Sequence, residues 1–159
     1  MNNPFAFREP ENKNEFVIKK SSKKYIPEGK FIISRKIEEN EEYIKRKFSI
    51  PKNNDVVLRK IILKGDRRGF AVFIDGMVST EFINSHIIET LLFLPEIKEN
   101  DTKIKKEEII DRFIAHCQAQ PTKDADEVLE EINFGSCAVF IDGVDEAFLM
   151  DVKQCANRG

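Results

Sequence analysis

The stretch Ala71-Val72-Phe73-Ile74-Asp75-Gly76 occurs twice: the same six residues return 67 positions later as Ala138-Val139-Phe140-Ile141-Asp142-Gly143. A six-residue identity in a chain of 159 residues points to a shared structural requirement rather than coincidence. Each copy is apolar at almost every position, not at alternate ones. A strand of that kind needs cover on both faces, which places it in the middle of a sheet. Each copy ends in Asp-Gly, where glycine tolerates positive φ and the carboxylate can accept from nearby backbone amides. Two units are too few for a solenoid, which needs three or more.

Outward from the first copy, Asp55-Val56-Val57-Leu58-Arg59-Lys60-Ile61-Ile62-Leu63-Lys64 is rich in β-branched residues, and Gly65 to Gly69 turns it back into Phe70. This predicts a β-hairpin. Outward from the second copy, Cys137 to Ile141 and Ala147 to Val152 form another, turning at Asp142-Gly143-Val144-Asp145. Between and before the hairpins lie helical patterns. Tyr43, Ile44, Lys47 and Phe48 recur at helical spacing ahead of Pro51. Phe82, Ile83, Ile87, Leu91 and Leu94 follow a cap at Ser79 or Thr80, with Glu81 near the positive helix end and Pro95 closing the run. Glu96 to Lys106 is charged and reads as a loop. Ile109, Ile110, Phe113 and Ile114 mark a further helix that ends before Gln118-Ala119-Gln120-Pro121. Val128, Leu129 and Ile132 mark another, with Gly135 at its C-terminal cap. The fold class expected is α/β: a mixed sheet of about four strands, from two hairpins, flanked by helices on both faces, with the repeated strands adjacent at its centre.

Residues 1–36 have a different texture, crowded with Asn, Pro, Glu and Lys and without a sustained period. They are expected to form a flexible or extended tail, with 37–159 as the α/β domain. In the tail, Lys19-Lys20-Ser21-Ser22-Lys23-Lys24 follows Phe16-Val17-Ile18, a pattern that can adhere to anionic lipid or RNA or simply stay solvated. Phe31-Ile32-Ile33 is the apolar patch expected to pack back on the domain and to mark where order begins.

Composition excludes several classes. With 26 Lys+Arg against 28 Asp+Glu the chain carries a net charge of −2, unlike the strongly basic balance of a dedicated nucleic-acid domain. No apolar run approaches the roughly 20 residues that cross a bilayer, and Met1-Asn2-Asn3-Pro4 does not open a signal peptide. This predicts a chain that is soluble as it stands. Cys117, Cys137 and Cys155 are an odd set without C-x-x-C spacing, and His86 and His116 have no second ligand at i+3 or i+4. Neither a disulfide framework, a metal site nor a cofactor is expected, and the free cysteines fit a reducing compartment.

Asp75 and Asp142, as acids at strand ends, are the candidates for catalysis. Each is followed by glycine, which already explains it as turn chemistry, and no second acid, His or Lys accompanies both copies. No catalytic residue is therefore assigned. Gly65-Asp66-Arg67-Arg68-Gly69 is not a phosphate loop, since it lacks the Lys-Ser/Thr ending and joins two strands. The candidate ligand-binding residues are Asp75, Gly76, Asp142 and Gly143, in a cleft at the strand ends where turn amides could hold a small molecule.

Gly69 to Val78, followed by a capped helix, resembles the "iDGLv" segment of the A subunits of bacterial spore germinant receptors, the GerA family. Ile132 to Gly143 resembles that family's "iL-G-tvLfiDG" segment, with Arg158 at a similar distance beyond it, and Asp55-Val56-Val57-Leu58 fits the same order. The likeness covers residues 40–159 and is specific because the blocks occur in sequence, although Ser79 stands where the family often has Asp. The family continues into a second soluble subdomain and then membrane-spanning helices. The resemblance thus implies the first subdomain of a longer membrane protein, without catalytic residues. It implies a signalling and assembly role in nutrient-triggered spore germination. The implied partners are receptor B and C subunits and other A subunits, and a small-molecule germinant is the possible ligand. The implied location is the spore inner membrane, with this domain on the cytoplasmic side. The VA-F type spore protein, which has the same domain, is the alternative within the family.

Overall fold

In a computed structural model of the chain, residues 30–98, 102–115 and 117–152 are described. The chain divides into two compact units after Lys30, and every element described belongs to the second, Phe31–Gly159. The lysine-rich stretch 19–24, His116, Cys155 and Arg158 lie outside the described residues.

The elements follow the predicted order. Helix α1 (Ile37–Phe48) leads into the hairpin of β1 (Val56–Leu63) and β2 (Arg67–Ile74). Helix α2 opens with Thr80–Phe82, passes through a π-helical stretch, Ile83–Ile88, and ends in Glu89–Leu92. Ser79 is its cap, accepting from the Phe82 amide at 3.2 Å. Then come α3 (Thr102–Ile114), β3 (Gln118–Thr122), α4 (Ala125–Asn133), β4 (Cys137–Ile141) and β5 (Ala147–Asp151). Helix α3 starts well before the apolar period at Ile109, within the charged segment expected to be a loop. Lysine and glutamate are strong helix formers, so the segment carries the helix without apolar spacing.

The sheet has five strands in the order β1-β2-β4-β5-β3, and every pairing within it is antiparallel. The two repeated strands are neighbours, with Phe70 opposite Phe140 and Ala71 opposite Val139. Two differences from the sequence reading matter. The sheet is antiparallel rather than mixed, because both hairpins and the β2–β4 contact run that way. It also gains β3 as a fifth strand at its edge, from the Gln118-Ala119-Gln120-Pro121 segment that the sequence pattern places just beyond the end of a helix.

Alternate side chains of the central strands feed two cores. Ala71, Phe73, Val139, Ile141 and Phe148 pack with Ile83, Ile87 and Leu91 of α2 and with Ile109 and Phe113 of α3. Phe70, Val72, Ala138, Phe140 and Leu149 face the other way, toward Ile37, Tyr43 and Ile44 of α1 and Val128 and Ile132 of α4. Both repeated strands are therefore covered on both faces, and the rings of Phe70 and Phe140 stack with centroids 4.6 Å apart. Cys117 and Cys137 are buried in the first core and are not joined in a disulfide. Burial, with Cys117 nearby, pushes the Cys137 thiol pKa far up, so it behaves as a small apolar side chain.

The segment before α1 packs on this unit. Phe31 stacks on Tyr43, Ile33 is buried, and the Ile33 amide donates to the Lys123 carbonyl at 3.0 Å. Asn40, itself buried, holds this strap in place: it accepts from the Ser34 amide and donates to the Ser34 carbonyl, both at 2.8 Å.

Candidate functional site

The two Asp-Gly turns have the same local chemistry and different surroundings. At the first, the Asp75 amide donates to the Asp55 carbonyl at 2.7 Å and the Met77 amide to the Ile74 carbonyl at 3.2 Å. Gly76 has φ +94°, and a Cβ placed there would meet nothing within 4 Å. Both residues are exposed.

The second turn is a junction. Asp142 accepts from the Ile37 amide at the start of α1 (3.3 Å), completing a helix end that Lys36 leaves uncapped. Its own amide donates to the Arg68 carbonyl at 2.9 Å, and the Arg68 guanidinium lies 3.8 Å from its carboxylate. Arg68 also pairs with Glu38 and holds that carboxyl below its usual range. The Arg67 guanidinium donates to the carbonyls of Asp142 and Ile97, each at 2.6 Å. Gly143, with φ +85°, donates its amide to the Arg35 carbonyl at 2.8 Å.

Beyond Gly143 the same turn reaches Asp145. Its carboxylate accepts from Lys106 at 2.5 Å and Lys123 at 3.4 Å, with Arg35 at 3.9 Å, while Lys106 also meets Glu146 at 3.3 Å. Burial alone would push Asp145 up; Lys106 and Lys123 outweigh it and hold the carboxyl below its usual range. The turn thus ties together the strap, α1, the β1–β2 hairpin, the segment after α2, α3 and the β3–α4 connection.

Two open clefts flank this turn and share Arg35. One, of about 780 Å³, is bounded by Lys106, Lys123, Asp145 and Glu146. The other, of about 570 Å³, is bounded by Arg67, Glu96, Lys98, Asp142 and Gly143. Both carry cations and carboxylates together, so a polar ligand of either sign finds a partner there. Among the described residues no group of His, Cys, Asp or Glu is arranged to hold a metal ion.

The four predicted ligand residues do not form one site. Because β2 and β4 are antiparallel, Asp142 sits opposite Arg68 at one end of the sheet and Asp75 lies seven residues further along β2. At ~3.3 Å per residue they are about 20 Å apart, at opposite sheet ends. Asp142 and Gly143 line the second of these clefts. Arg35, Arg67, Lys106, Lys123 and Asp145 escaped the sequence reading, since their partners come from distant elements. The one local signal was the acid-rich continuation Val144-Asp145-Glu146, which the first copy lacks.

What fold and site define is a three-layer domain, helices on both faces of an antiparallel sheet, organised around an ion-paired turn. Residues 42–159 match the family described as Bacillus/Clostridium GerA spore germination protein, and the chain belongs to that family. It is 26% identical over 131 residues to the stage V sporulation protein AF of Bacillus subtilis (strain 168), an alignment covering 82% of this chain and 26% of that protein. Its fold matches the crystal structure of the N-terminal domain of the A subunit of the Bacillus megaterium spore germinant receptor GerK3, with a TM-score of 0.61 and 16% identity. That match covers 76% of this chain and 48% of the crystallised one. The chain therefore spans about a quarter of its curated relative and about half of the crystallised domain.

Proposed function

We propose that this chain is a signalling and assembly domain, without catalytic chemistry, from the A subunit of a nutrient germinant receptor acting in spore germination. The observation that carries the reading is the family match across residues 42–159, supported by the likeness to a receptor A-subunit N-terminal domain. The Asp142–Asp145 junction supports a relay role, because displacing one element attached to it disturbs several others. The partners are receptor B and C subunits and other A subunits. The location is the spore inner membrane, this domain lying on its cytoplasmic side; among the described residues no helix is long and apolar enough to cross a membrane. The similarity to the stage V protein favours one variant of this reading, the equivalent domain of an AF-type protein.

A second reading, favoured by the clefts beside Asp142 and Gly143, is direct binding of a small germinant there. The test places Asp75→Asn, Asp142→Asn, Phe73→Ala and Phe140→Ala separately in the full-length gene and measures nutrient germination beside subunit abundance. The signalling reading expects both Asn variants to be abundant and responsive. It expects the Phe variants to lose response in proportion to lost subunit. Normal abundance with a lost response in Asp142→Asn, but not in Asp75→Asn, would favour the germinant site. Spores lacking the gene that still respond to every nutrient would favour the AF-type variant.

A further inference from the structure

Among the described residues, the sheet has one long edge with no strand paired to it. Strand β3 at one side is five residues long and contains Pro121, both common devices against unwanted pairing. Strand β1 at the other is eight residues, Val-Val-Leu-Arg-Lys-Ile-Ile-Leu, without proline. The Asp75 amide bonds the Asp55 carbonyl, so in the β1–β2 register residues 55, 57, 59, 61 and 63 point their backbone groups at β2. Val56, Leu58, Lys60 and Ile62 then point theirs outward, and no described strand pairs with them.

This edge has apolar flanks on both faces. On the α1 side Ile62 is 57% exposed beside the partly buried Leu58. On the other side the last segment of α2 packs on β1 and ends in Leu92 and Phe93, which are 43% and 67% exposed. At the centre stand two cations, one per face, and no acid. Arg59 leans on Asn84. Lys60 is 67% exposed and reaches Glu41 at 3.1 Å, but Glu41 also holds Lys45 at 2.8 Å and keeps that partner if Lys60 turns away.

We propose that the outer edge of β1 accepts a sixth strand from a partner protein. That strand is an extended segment with two adjacent acidic residues at its centre and apolar residues flanking them. The backbone ladder supplies affinity, the paired acids meet Arg59 and Lys60, and the flanking apolar residues cover Ile62 on one face and Leu92 with Phe93 on the other. The charge pattern selects against a second copy. Antiparallel self-pairing centred on the strand sets Arg59 against Arg59 or Lys60 against Lys60, and like charges directly opposite are unfavourable.

The test uses the 159-residue chain and two synthetic peptides, Val-Thr-Glu-Glu-Thr-Val and Val-Thr-Lys-Lys-Thr-Val, followed by backbone amide shifts and hydrogen exchange. The acidic peptide is expected to shift and protect the amides of Val56, Leu58, Lys60 and Ile62 and to bind at least tenfold more tightly than the basic one. Reversing both charges, Arg59→Glu with Lys60→Glu, is expected to invert that preference. Ile62→Pro, which removes one outward donor, should weaken the acidic peptide about tenfold while Val57, Arg59 and Ile61 keep their protection. Three results would overturn the proposal. One is no peptide effect at these amides, or an equal effect of both peptides. Another is protection already present in the dilute monomer, meaning that the chain's own residues fill the edge. The third is protection that grows with protein concentration alongside a dimer in sedimentation.

Discussion

Gly76 and Gly143 occupy the same place in the repeated hexapeptide, and both have positive φ. An alanine at either position meets a backbone cost of about 1–2 kcal/mol. At Gly143 the new Cβ would also lie 2.6 Å from the Arg67 guanidinium, the group that bonds Asp142 and Ile97, whereas at Gly76 the space is open. Gly143→Ala is therefore expected to destabilise the chain clearly more than Gly76→Ala in urea unfolding. Asp145 gives a second expectation. Its pKa in the folded chain is held below the ordinary 3.8. A lowered carboxylate contributes stability that is present above the unfolded-state pKa and is lost as pH falls through the folded one. Lys106→Met should accordingly reduce stability at neutral pH, and the gap from the parent chain should close as pH drops below about 4. Stability curves of the two chains at pH 7 and at pH 3 measure that gap.

Among the elements, the repeated strands were the most legible, because an unbroken apolar run has only one comfortable place in a sheet. Strand β3 was the least legible. Gln118-Ala119-Gln120-Pro121-Thr122 has neither alternation nor β-branched density, and it becomes a strand only because β5 offers it a partner. Proline is tolerated there since the strand is an edge. The pairing of the repeats leads to a measurable coupling. Phe70→Ala and Phe140→Ala should each cost about 3–5 kcal/mol. Because the two rings stack directly, the double variant should fall short of additivity by about 0.5–1.5 kcal/mol. Full additivity in a double-mutant cycle would mean that the stacked contact contributes nothing beyond burial.

For the whole molecule, the strap before α1 decides how much chain the folded unit needs. Ile33 is 3% exposed although it precedes the helical period, so Ile33→Ala is expected to cost about 2–5 kcal/mol in denaturant unfolding. A loss below 0.5 kcal/mol would show that the strap is dispensable and that the unit begins at the first helix. The opposed positions of Asp75 and Asp142 lead to a companion expectation. Substitutions at two sites about 20 Å apart, with no partner in common, should add within about 0.5 kcal/mol.

The chain's local patterns were enough to determine the α/β class, the two hairpins, the helices flanking them and the central place of the Ala-Val-Phe-Ile strands. Each of these depends on the spacing of apolar residues within a single segment. The family was legible for the same reason, since its two strand blocks are contiguous in sequence. Strand order, the antiparallel meeting of the repeats and the fifth strand depend on which segments meet, and local pattern does not encode that. The same holds for the junction at Asp142–Asp145, whose cations Arg35, Arg67, Lys106 and Lys123 come from four separate parts of the chain. Only the tertiary fold brings them to one turn and sends the identical Asp75 turn to the opposite end of the sheet.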